Sequence, residues 1–303
     1  MDRNSPYYRQ VALLVRLLPI VAKESCFAMK GGTAINLFVR DFPRLSVDID
    51  LVYLGDGGRN EALPAIASAL GRIADDVEAV IVGASVRRAY EEKYDALRLV
   101  VSDSAATVKV ELSPVLRGTV FPVETTAVTE AVEDEFGFAE IAVVSHADLY
   151  AGKLCAALDR QHPRDFFDVL LLLENEGLSD ALRKAFIVYL ISHGRPIEEL
   201  LDPRWKDIEG LFEAEFRGMT SRELSAQELL NAGHRALAEI LDGFTDDERR
   251  FLCGLYDQEQ QWHLLGLEGV ETLPAVQWKL ANIRKMPAEK RKAALVKLEG
   301  ILG

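Results

Sequence analysis

The most restrictive feature of this chain is one stretch, residues 26–54, in which a short apolar run meets two glycines and is followed by two aspartates. Residues 26–29 are typical of a strand, Gly31-Gly32 of a tight turn, and the segment from Thr33 of a helix, because glycine relaxes the limits on the backbone. Free backbone N–H groups and a hydroxyl at that helix start would point at a bound anion. The sequence therefore predicts a phosphate-binding turn.

The segment from residue 47 to residue 54 supplies two negatively charged side chains. A strand period of two places Asp48 and Asp50 on one face and apolar side chains on the other. Two carboxylates separated by two strand rises of about 3.3 Å each suit divalent cations, which in turn hold triphosphate oxygens. A phosphate cradle beside a carboxylate pair is equipment for nucleotidyl transfer.

Two groups of motifs carry a family resemblance. Lys-Gly-Gly-Thr-Ala-Ile-Asn-Leu-Phe at 30–38, followed by Arg-x-Ser-x-Asp-Ile-Asp-Leu at 44–51, resembles the AbiEii/AbiGii-type nucleotidyltransferase toxins. This branch of the DNA polymerase β-like nucleotidyltransferases includes the MenT toxins. The resemblance returns as Leu-x-Ala-x-Lys-Leu at 149–154 and Arg-Asp-x-x-Asp at 164–168.

The resemblance and the run of elements together predict the fold. We expect an α/β (α+β) fold with a polymerase β-like nucleotidyltransferase lobe built on a small mixed sheet, followed by a mainly helical lobe. The expected domains are residues 1–140 and 141–303, with the active site in the cleft between them.

The first lobe would provide the metal and phosphate ligands. Asp48 and Asp50 would hold the metal, and Glu111, on a strand predicted at 106–113, matches the family's third carboxylate. Arg44 and Ser46 lie close in sequence and are secondary candidates for phosphate contact. For Glu111 the alternative is a solvated residue at a sheet edge.

The second lobe would complete the site through a pair of helices. By resemblance Lys153 contacts the nucleotide phosphates, Asp168 is the distal acid, and Asp165 orients Lys153 or Arg164. Asp165 and Asp168 share a helix face because they are three residues apart. The alternative is a helix hairpin with surface ion pairs, each worth about 0.5 kcal/mol.

The resemblance also implies a function. We expect a toxin of a toxin-antitoxin system, dependent on Mg²⁺ or Mn²⁺, that transfers nucleotides from an NTP to the 3′ end of tRNA and so blocks aminoacylation and translation. A cognate antitoxin and a role in abortive infection would follow. The alternatives are a nucleotidyltransferase that modifies a protein or small molecule, and a nucleotide- or partner-binding protein without catalysis.

The charge distribution bears on the acceptor. A net charge of −13 argues against extended nucleic-acid binding. Residues 279–303, however, hold seven basic residues against Glu289 and Glu299, which predicts either an RNA-steering patch or a solvated terminal helix. Among apolar neighbours, Trp278 is expected in the core rather than stacked on a base.

Other patterns predict location and local structure. Three distant cysteines indicate free thiols, and without a signal-like or membrane-spanning run we expect a cytoplasmic protein. A helix over 6–24 should kink or break at Pro19, and a helix over 60–75 should be interrupted at Pro64 and Gly71. Strand-like runs follow at 79–89, 94–101 and 106–113, then a loop-rich acidic bridge between lobes over 114–140.

Overall fold

The computed structural model describes residues 6–93, 96–257 and 260–303. Its contacts divide the chain into two units. The first extends to Ser145 and also includes Met219–Ser221, and the second comprises His146–Gly218 and Arg222–Gly303. The chain thus leaves the second unit for three residues and then returns to it.

The first unit is built on a mixed sheet. Within the described residues its strands are β1 Phe27–Lys30, β2 Asp48–Tyr53, β3 Ser85–Arg88, β4 Arg98–Ser102, β5 Thr107–Arg117, β6 Glu124–Ala127 and β7 Glu140–Val143. They form one sheet in the order β3-β4-β5-β2-β1-β7-β6. The pairs β1–β7 and β2–β5 are parallel and the other neighbours are antiparallel, which confirms the mixed sheet.

Alternating side chains explain why these segments form strands. In β4 and β5 the apolar residues Leu99, Val101, Val108 and Val110 are fully buried, while the residues between and beside them, which are polar except for Val100, are partly or fully exposed on the other face. This alternation is the pattern of strands with one face against a core. The first predicted strand run was too long, because residues 79–80 belong to a helix, and residues 94–95 of the second run lie outside the described residues.

Helices of the first unit pack on this sheet. They are α1 Pro6–Val21, α2 Gly31–Ala34, which continues into a π-helix Ile35–Val39, α3 Arg59–Val80, α4 Ala89–Glu92 and α5 Glu130–Phe136. The expected interruption of the second helix was wrong, because α3 runs through Pro64 and Gly71, and α1 continues past Pro19 to Val21 without a break. In α3 a continuous buried stripe from Ala62 to Val77 offsets the hydrogen bond that Pro64 cannot donate.

The segment 114–140 belongs to the first unit's sheet rather than to a bridge. Strand β5 extends to Arg117, and β7 pairs with β1 in the parallel sense. The interpretation as a loop-rich bridge was wrong because β6, the edge strand that pairs with β7, has the polar sequence Glu-Thr-Thr-Ala and only weak strand signals.

The second unit is helical, as expected. Its helices are α6 His146–Arg160, α7 Pro163–Asn175, α8 Asp180–Ser192, α9 Ile197–Leu201, α10 Glu209–Glu215, α11 Ala226–Gly243, α12 Asp246–Asp257, α13 Pro274–Lys285 and α14 Ala288–Leu302. Short 3₁₀ turns cover Trp262–Leu265 and Val270–Thr272. Pro163 opens α7 as predicted, since its fixed φ suits the first helical position.

The helix packing corrects two expectations about the basic C-terminal segment. Helix α13 buries Ala275, Val276, Leu280 and Ile283 along one stripe. Lys279 falls on that stripe and is buried, whereas Trp278 points away from it and is 45% exposed. The expectation of a core tryptophan was therefore wrong, and Lys279 does not contribute to a surface patch.

Two further findings concern cysteine chemistry and membranes. Cys26, Cys155 and Cys253 are free thiols, which confirms the expectation from their spacing. No helix of the described ranges is long and apolar enough to span a bilayer.

Candidate active site

The diglycine turn lies against three side chains that the sequence places 12 to 19 residues further along the chain. Strand β1 ends at Lys30, and the helix begins at Gly31, which has φ +80°, rather than at Thr33. A Cβ added at Gly31 would collide with the Asp50 carboxylate. A Cβ at Gly32 would lie 2.6 Å from an Arg44 guanidinium nitrogen and 3.3 Å from Ser46 Oγ. A side chain at either position would therefore displace a charged neighbour of the turn.

The Thr33 hydroxyl is used inside the protein. It is buried, donates a hydrogen bond to the Asp48 carbonyl oxygen at 2.6 Å, and lies 2.8 Å from Ser46 Oγ. Since its one proton goes to Asp48, it accepts the proton of Ser46. The expectation that this hydroxyl points at a ligand differs from the structure, where it fixes the start of the aspartate strand to the turn.

Asn36 is a residue of this site that sequence reasoning missed. Fully buried, it donates from Nδ2 to the Gly32 carbonyl at 2.7 Å and accepts from the Arg44 backbone N–H at 3.2 Å. It therefore ties the glycine turn to the segment that carries Arg44. The feature of the sequence that could have identified Asn36 is a single amide side chain within an apolar helical segment, four residues after Gly32.

Arg44 is itself held from several sides. Its side chain is almost fully buried, and Nη1 donates to the Leu45 carbonyl at 2.8 Å. The Leu45 backbone N–H in turn donates to the Met219 carbonyl at 3.0 Å, which attaches this loop to the returning segment Met219–Ser221. The guanidinium is thus a fixed positive charge beside Gly32.

The aspartate strand alternates as predicted. In β2, Asp48 and Asp50 are half-buried on one face, while Ile49 and Leu51 are fully buried on the other. The parallel neighbour β5 places Lys109 beside Asp48 and Glu111 beside Asp50. On the other side β1 places Lys30 opposite Asp50.

Glu111 lies in the interior of the sheet and not at its edge. Strand β5 is flanked by β4 and β2, so the alternative of a solvated edge residue was wrong. The Glu111 carboxylate forms an ion pair with Arg98 of β4 at 2.7 Å. Lys30, Asp50, Glu111 and Arg98 therefore form a row of charges across four adjacent strands.

The carboxylates of Asp48, Asp50 and Glu111 have the chemistry to bind a hard divalent cation, but they are not arranged as a complete coordination site. Carboxylate oxygens at Asp48 and Asp50 are the donors that Mg²⁺ prefers. Within the described residues no three His, Cys, Asp or Glu side chains are close enough together to hold a metal ion. At the position of the expected third ligand, the Glu111 carboxylate is engaged by Arg98.

The second unit contains a buried ionic cluster on α6 and α7. Lys153 Nζ lies 3.0 Å from Asp165 Oδ1 and 2.9 Å from Asp168 Oδ2. Both carboxylates are fully buried, and Lys153 is 6% exposed. The alternative of surface ion pairs was wrong, because all three groups lie inside the helix pair.

Asp165 receives a second cation, but it is not the one expected. Arg160 makes a bidentate contact, with Nε to Oδ2 at 2.5 Å and Nη2 to Oδ1 at 2.8 Å. Burial alone would raise the pKa of Asp165, but Lys153 and Arg160 outweigh it and hold the pKa well below its usual range. Arg164 lies near Glu215, at 3.6 Å, so it is not the partner of Asp165 in this cluster.

His162 fixes the start of the helix that carries both aspartates. Its Nδ1 accepts a hydrogen bond from the Arg164 backbone N–H at 3.1 Å, and its Nε2 lies 3.0 Å from Glu215 Oε2. Burial lowers the pKa of His162 despite the Glu215 carboxylate, which favours the neutral ring that capping requires. Histidine is not a usual capping residue, so sequence reasoning assigned it no role.

The sequence model of the nucleotidyl transferase AbiEii toxin family, of the type IV toxin-antitoxin system, matches residues 12–282. That range includes most of the chain and every site residue described above. The chain belongs to the AbiEii family. It is therefore an NTP-dependent nucleotidyltransferase toxin, and the family implies an antitoxin partner.

One solved structure supports the AbiEii fold. It is MenT4, the nucleotidyltransferase toxin Rv2826c from Mycobacterium tuberculosis H37Rv, with a TM-score of 0.64 and 16% sequence identity. The alignment covers 93% of this chain and 95% of MenT4. At this identity the likeness shows the shared fold. No curated protein matches the chain by sequence.

Proposed function

We propose that this AbiEii protein transfers nucleotides from an NTP to the 3′ end of tRNA in a Mg²⁺-dependent reaction. The observation that carries the proposal is the packing of the Asp50 carboxylate and the Arg44 guanidinium against Gly31 and Gly32. A turn without side chains, a fixed cation and a carboxylate pair are the parts that a triphosphate with its counterion requires. Extension of tRNA would block aminoacylation and arrest growth until the antitoxin acts, which suits a role in abortive infection.

In this mechanism each residue of the first unit has a separate task. The turn lets the triphosphate approach the backbone closely, while Arg44 neutralises phosphate charge. Asp48 and Asp50 would hold the divalent cation, which supplies charge stabilisation to the phosphoryl oxygens when bound. One of the two carboxylates can also accept the proton of the attacking hydroxyl. Thr33, Ser46 and Asn36 keep the turn and the aspartate strand in register.

Glu111 and three residues of the second unit complete the proposed set. Glu111 is the candidate for the third ligand, which requires release of its ion pair with Arg98. For Lys153 and Asp168 we propose the roles that the AbiEii motifs imply, namely charge neutralisation at the leaving pyrophosphate and the distal acid. Asp165 positions Lys153 through their 3.0 Å contact.

The test uses an NTP labelled at the α-phosphate, purified protein and total tRNA. We expect Asp48→Ala and Asp50→Asn to lower label incorporation by at least about a hundredfold, because metal-assisted charge stabilisation is worth several kcal/mol. Asp56→Asn is the matched control, since Asp56 is an exposed loop carboxylate of the same unit. Incorporation that survives in Asp48→Ala would refute the assignment.

A second acceptor class is favoured by one observation. A net charge of −13 disfavours contact with a polynucleotide over a wide surface, so a protein or small-molecule acceptor is the alternative. Incubation of the protein with labelled NTP and a cell extract separates the two. Label removed by RNase supports the tRNA acceptor, while label that resists RNase and is lost to protease supports a protein acceptor. Nucleotide donor and tRNA both occur in the cytoplasm, where we expect the reaction.

A further inference from the structure

The second unit has a cavity of about 610 Å³ that is separate from the ionic cluster of α6 and α7. It is lined by the loop Asp202–Lys206, which follows α9, and by Gln161, Arg195, Glu199 and Lys297. A cavity of this volume is in the range of sites for a ligand of nucleotide size. Its lining is polar and charged rather than apolar, so the occupant must be polar as well.

The loop that lines the cavity is held in place by a buried glutamine. Gln161 is 2% exposed and lies in the left-handed region with φ +54°. Its Nε2 donates to the Arg204 carbonyl at 3.0 Å, and its Oε1 accepts from the Lys206 backbone N–H at 2.8 Å. These two bonds fix the backbone on both sides of Trp205, so the loop presents its side chains from a set position.

Trp205 gives the cavity an aromatic wall. The indole is half-buried and stacks on His234, with ring centroids 3.9 Å apart and an interplanar angle of 24°. Phe166 adds a tilted contact at 6.3 Å. An indole held by neighbouring rings loses little rotamer freedom when another flat group packs on it.

The charges around the cavity are unequal. Arg195 is neutralised by Asp159 at 3.1 Å and by Glu199 at 3.9 Å. Arg204, Lys206 and Lys297 form no ion pair within the part of the chain that the structure describes, and Lys206 Nζ donates only to the Arg160 carbonyl, at 3.3 Å. Asp202 is the remaining acid of the lining. On a protein of net charge −13, a cavity lined by one aromatic ring and three cations without ion pairs to described residues is a local exception.

Helix α14 extends this positive region. Lys290 and Lys297 are both exposed and are seven residues apart, which places them on the same flank two turns from each other. The helix buries Ala294, Leu298 and Leu302 on a neighbouring face. This helix begins at Ala288, beyond residue 282, where the family match ends.

We propose that this cavity binds a single-stranded polynucleotide segment. Trp205 stacks on one base, and Arg204, Lys206 and Lys297 contact the adjoining phosphates. Cations that follow a backbone beside an aromatic platform are the combination by which single strands are bound without regard to sequence. A duplex keeps its bases stacked on each other and cannot offer one to Trp205. The inference goes beyond the proposed function, because strand binding here needs no catalysis.

The experiment measures fluorescence anisotropy of labelled six-nucleotide single strands with full-length protein carrying Asp50→Asn, so that no transfer occurs. We expect Arg204→Glu and Lys297→Glu each to weaken binding by at least about fivefold, and Trp205→Leu by a similar factor. Arg9→Glu is the matched control, since Arg9 is an exposed cation of the first unit with the same charge change. It should alter the affinity by less than about twofold.

Salt dependence gives an independent measure. Three phosphate contacts predict a slope of about −2 in a plot of log affinity against log salt concentration, at about 0.7 per contact for single strands. Lys297→Ala should remove one phosphate contact and so reduce the magnitude of the slope by about 0.7. RNA and DNA strands of the same sequence should bind within about threefold of each other, because phosphate and base are the groups contacted.

Four outcomes would overturn the inference. They are equal affinities of the Arg204→Glu, Lys297→Glu and Arg9→Glu proteins, equal affinity for a mononucleotide, equal affinity for a duplex, and binding of one sugar type alone. Trp205→Phe should keep most of the affinity, and its thermal midpoint should match the parent, which separates loss of stacking from loss of folding. Because the parent protein is inactive in transfer, failure here is distinct from failure of the proposed function.

Discussion

At the scale of single residues, the candidate site depends on what two glycines leave out. Gly31 and Gly32 are in contact with Asp50 and Arg44 through space that a Cβ would fill. Two physical factors therefore favour glycine in this motif. The backbone has a positive φ at Gly31, and charged groups approach closely at both positions.

Substitution of Gly31 by alanine separates these two reasons. We expect Gly31→Ala to lower stability by more than the cost of left-handed backbone, about 1–2 kcal/mol, and to abolish transfer, because the new Cβ displaces the Asp50 carboxylate. Gly83→Ala is the control, since Gly83 has the same φ of +80° with open space around it. Urea unfolding and label incorporation measure both effects. Equal losses in the two variants would show that Asp50 is not displaced.

The Lys153 cluster can be tested in the same way. Lys153→Met leaves two buried carboxylates without their shared cation, and breaking a buried pair costs about 3–5 kcal/mol. Combining it with Asp165→Asn and Asp168→Asn removes the uncompensated charge and should recover much of that stability. If Lys153 or Asp168 is catalytic, the triple variant stays inactive. Recovery of both stability and transfer would reduce the cluster to a structural role.

Asp165 also sets an acid dependence. Its folded-state pKa is depressed, so its contribution is fully present above the unfolded carboxyl pKa of about 3.9 and is lost as pH falls below it. We expect Asp165→Asn to be less stable than wild type at pH 6 and to lose less stability between pH 5 and pH 3. Urea midpoints across that range measure the difference, with Asp56→Asn as control. Parallel curves for wild type and Asp165→Asn would contradict the depressed pKa.

At the scale of elements, two sets of charged residues are positioned by the start of the element that carries them. They are the aspartates of β2 and the aspartates of α7. The Thr33 hydroxyl fixes the first residue of β2, and the His162 ring caps α7 three residues before Asp165. In both cases a side chain that is not one of the aspartates, Thr33 or His162, helps to determine where the aspartates lie.

The cap at His162 predicts a response to substitution and to pH. His162→Ala should cost about 1 kcal/mol, whereas His162→Asn should retain most of the stability, because asparagine is a good capping residue. The depressed pKa makes the contribution present above the unfolded histidine pKa of about 6.5 and lost as pH falls through the folded value. Chemical denaturation at pH 7.5 and pH 5 measures this. A pH dependence that is unchanged in His162→Asn would exclude the cap as its source.

At the scale of the whole molecule, a bound triphosphate should be visible in global stability. Ligand at a hundred times its dissociation constant adds about 2.7 kcal/mol to the folded state. We expect NTP to raise the thermal midpoint only with Mg²⁺ or Mn²⁺ present, and a chelator to abolish both the shift and the transfer. Asp48→Ala should lose the shift while Asp56→Asn keeps it. If NTP raised the thermal midpoint equally in the presence of chelator, NTP binding would not require the metal.

Local patterns were enough to predict several parts of this protein. The glycine turn, the alternation of Asp48 and Asp50, the helix opened by Pro163 and the succession of a mixed sheet and a helical unit all depend on residues near each other in sequence. Backbone freedom, strand period and helix period act over two to four residues, so the chain displays them directly.

Only the tertiary structure decided which distant residues meet. The register of β5 against β2 places Glu111 beside Asp50, and the register of β4 gives Glu111 to Arg98. Helix packing gives Arg160 rather than Arg164 to Asp165, buries Lys279 and exposes Trp278. These outcomes depend on contacts between segments far apart in sequence, where a shift of one residue in register or about 100° of helix rotation changes every partner.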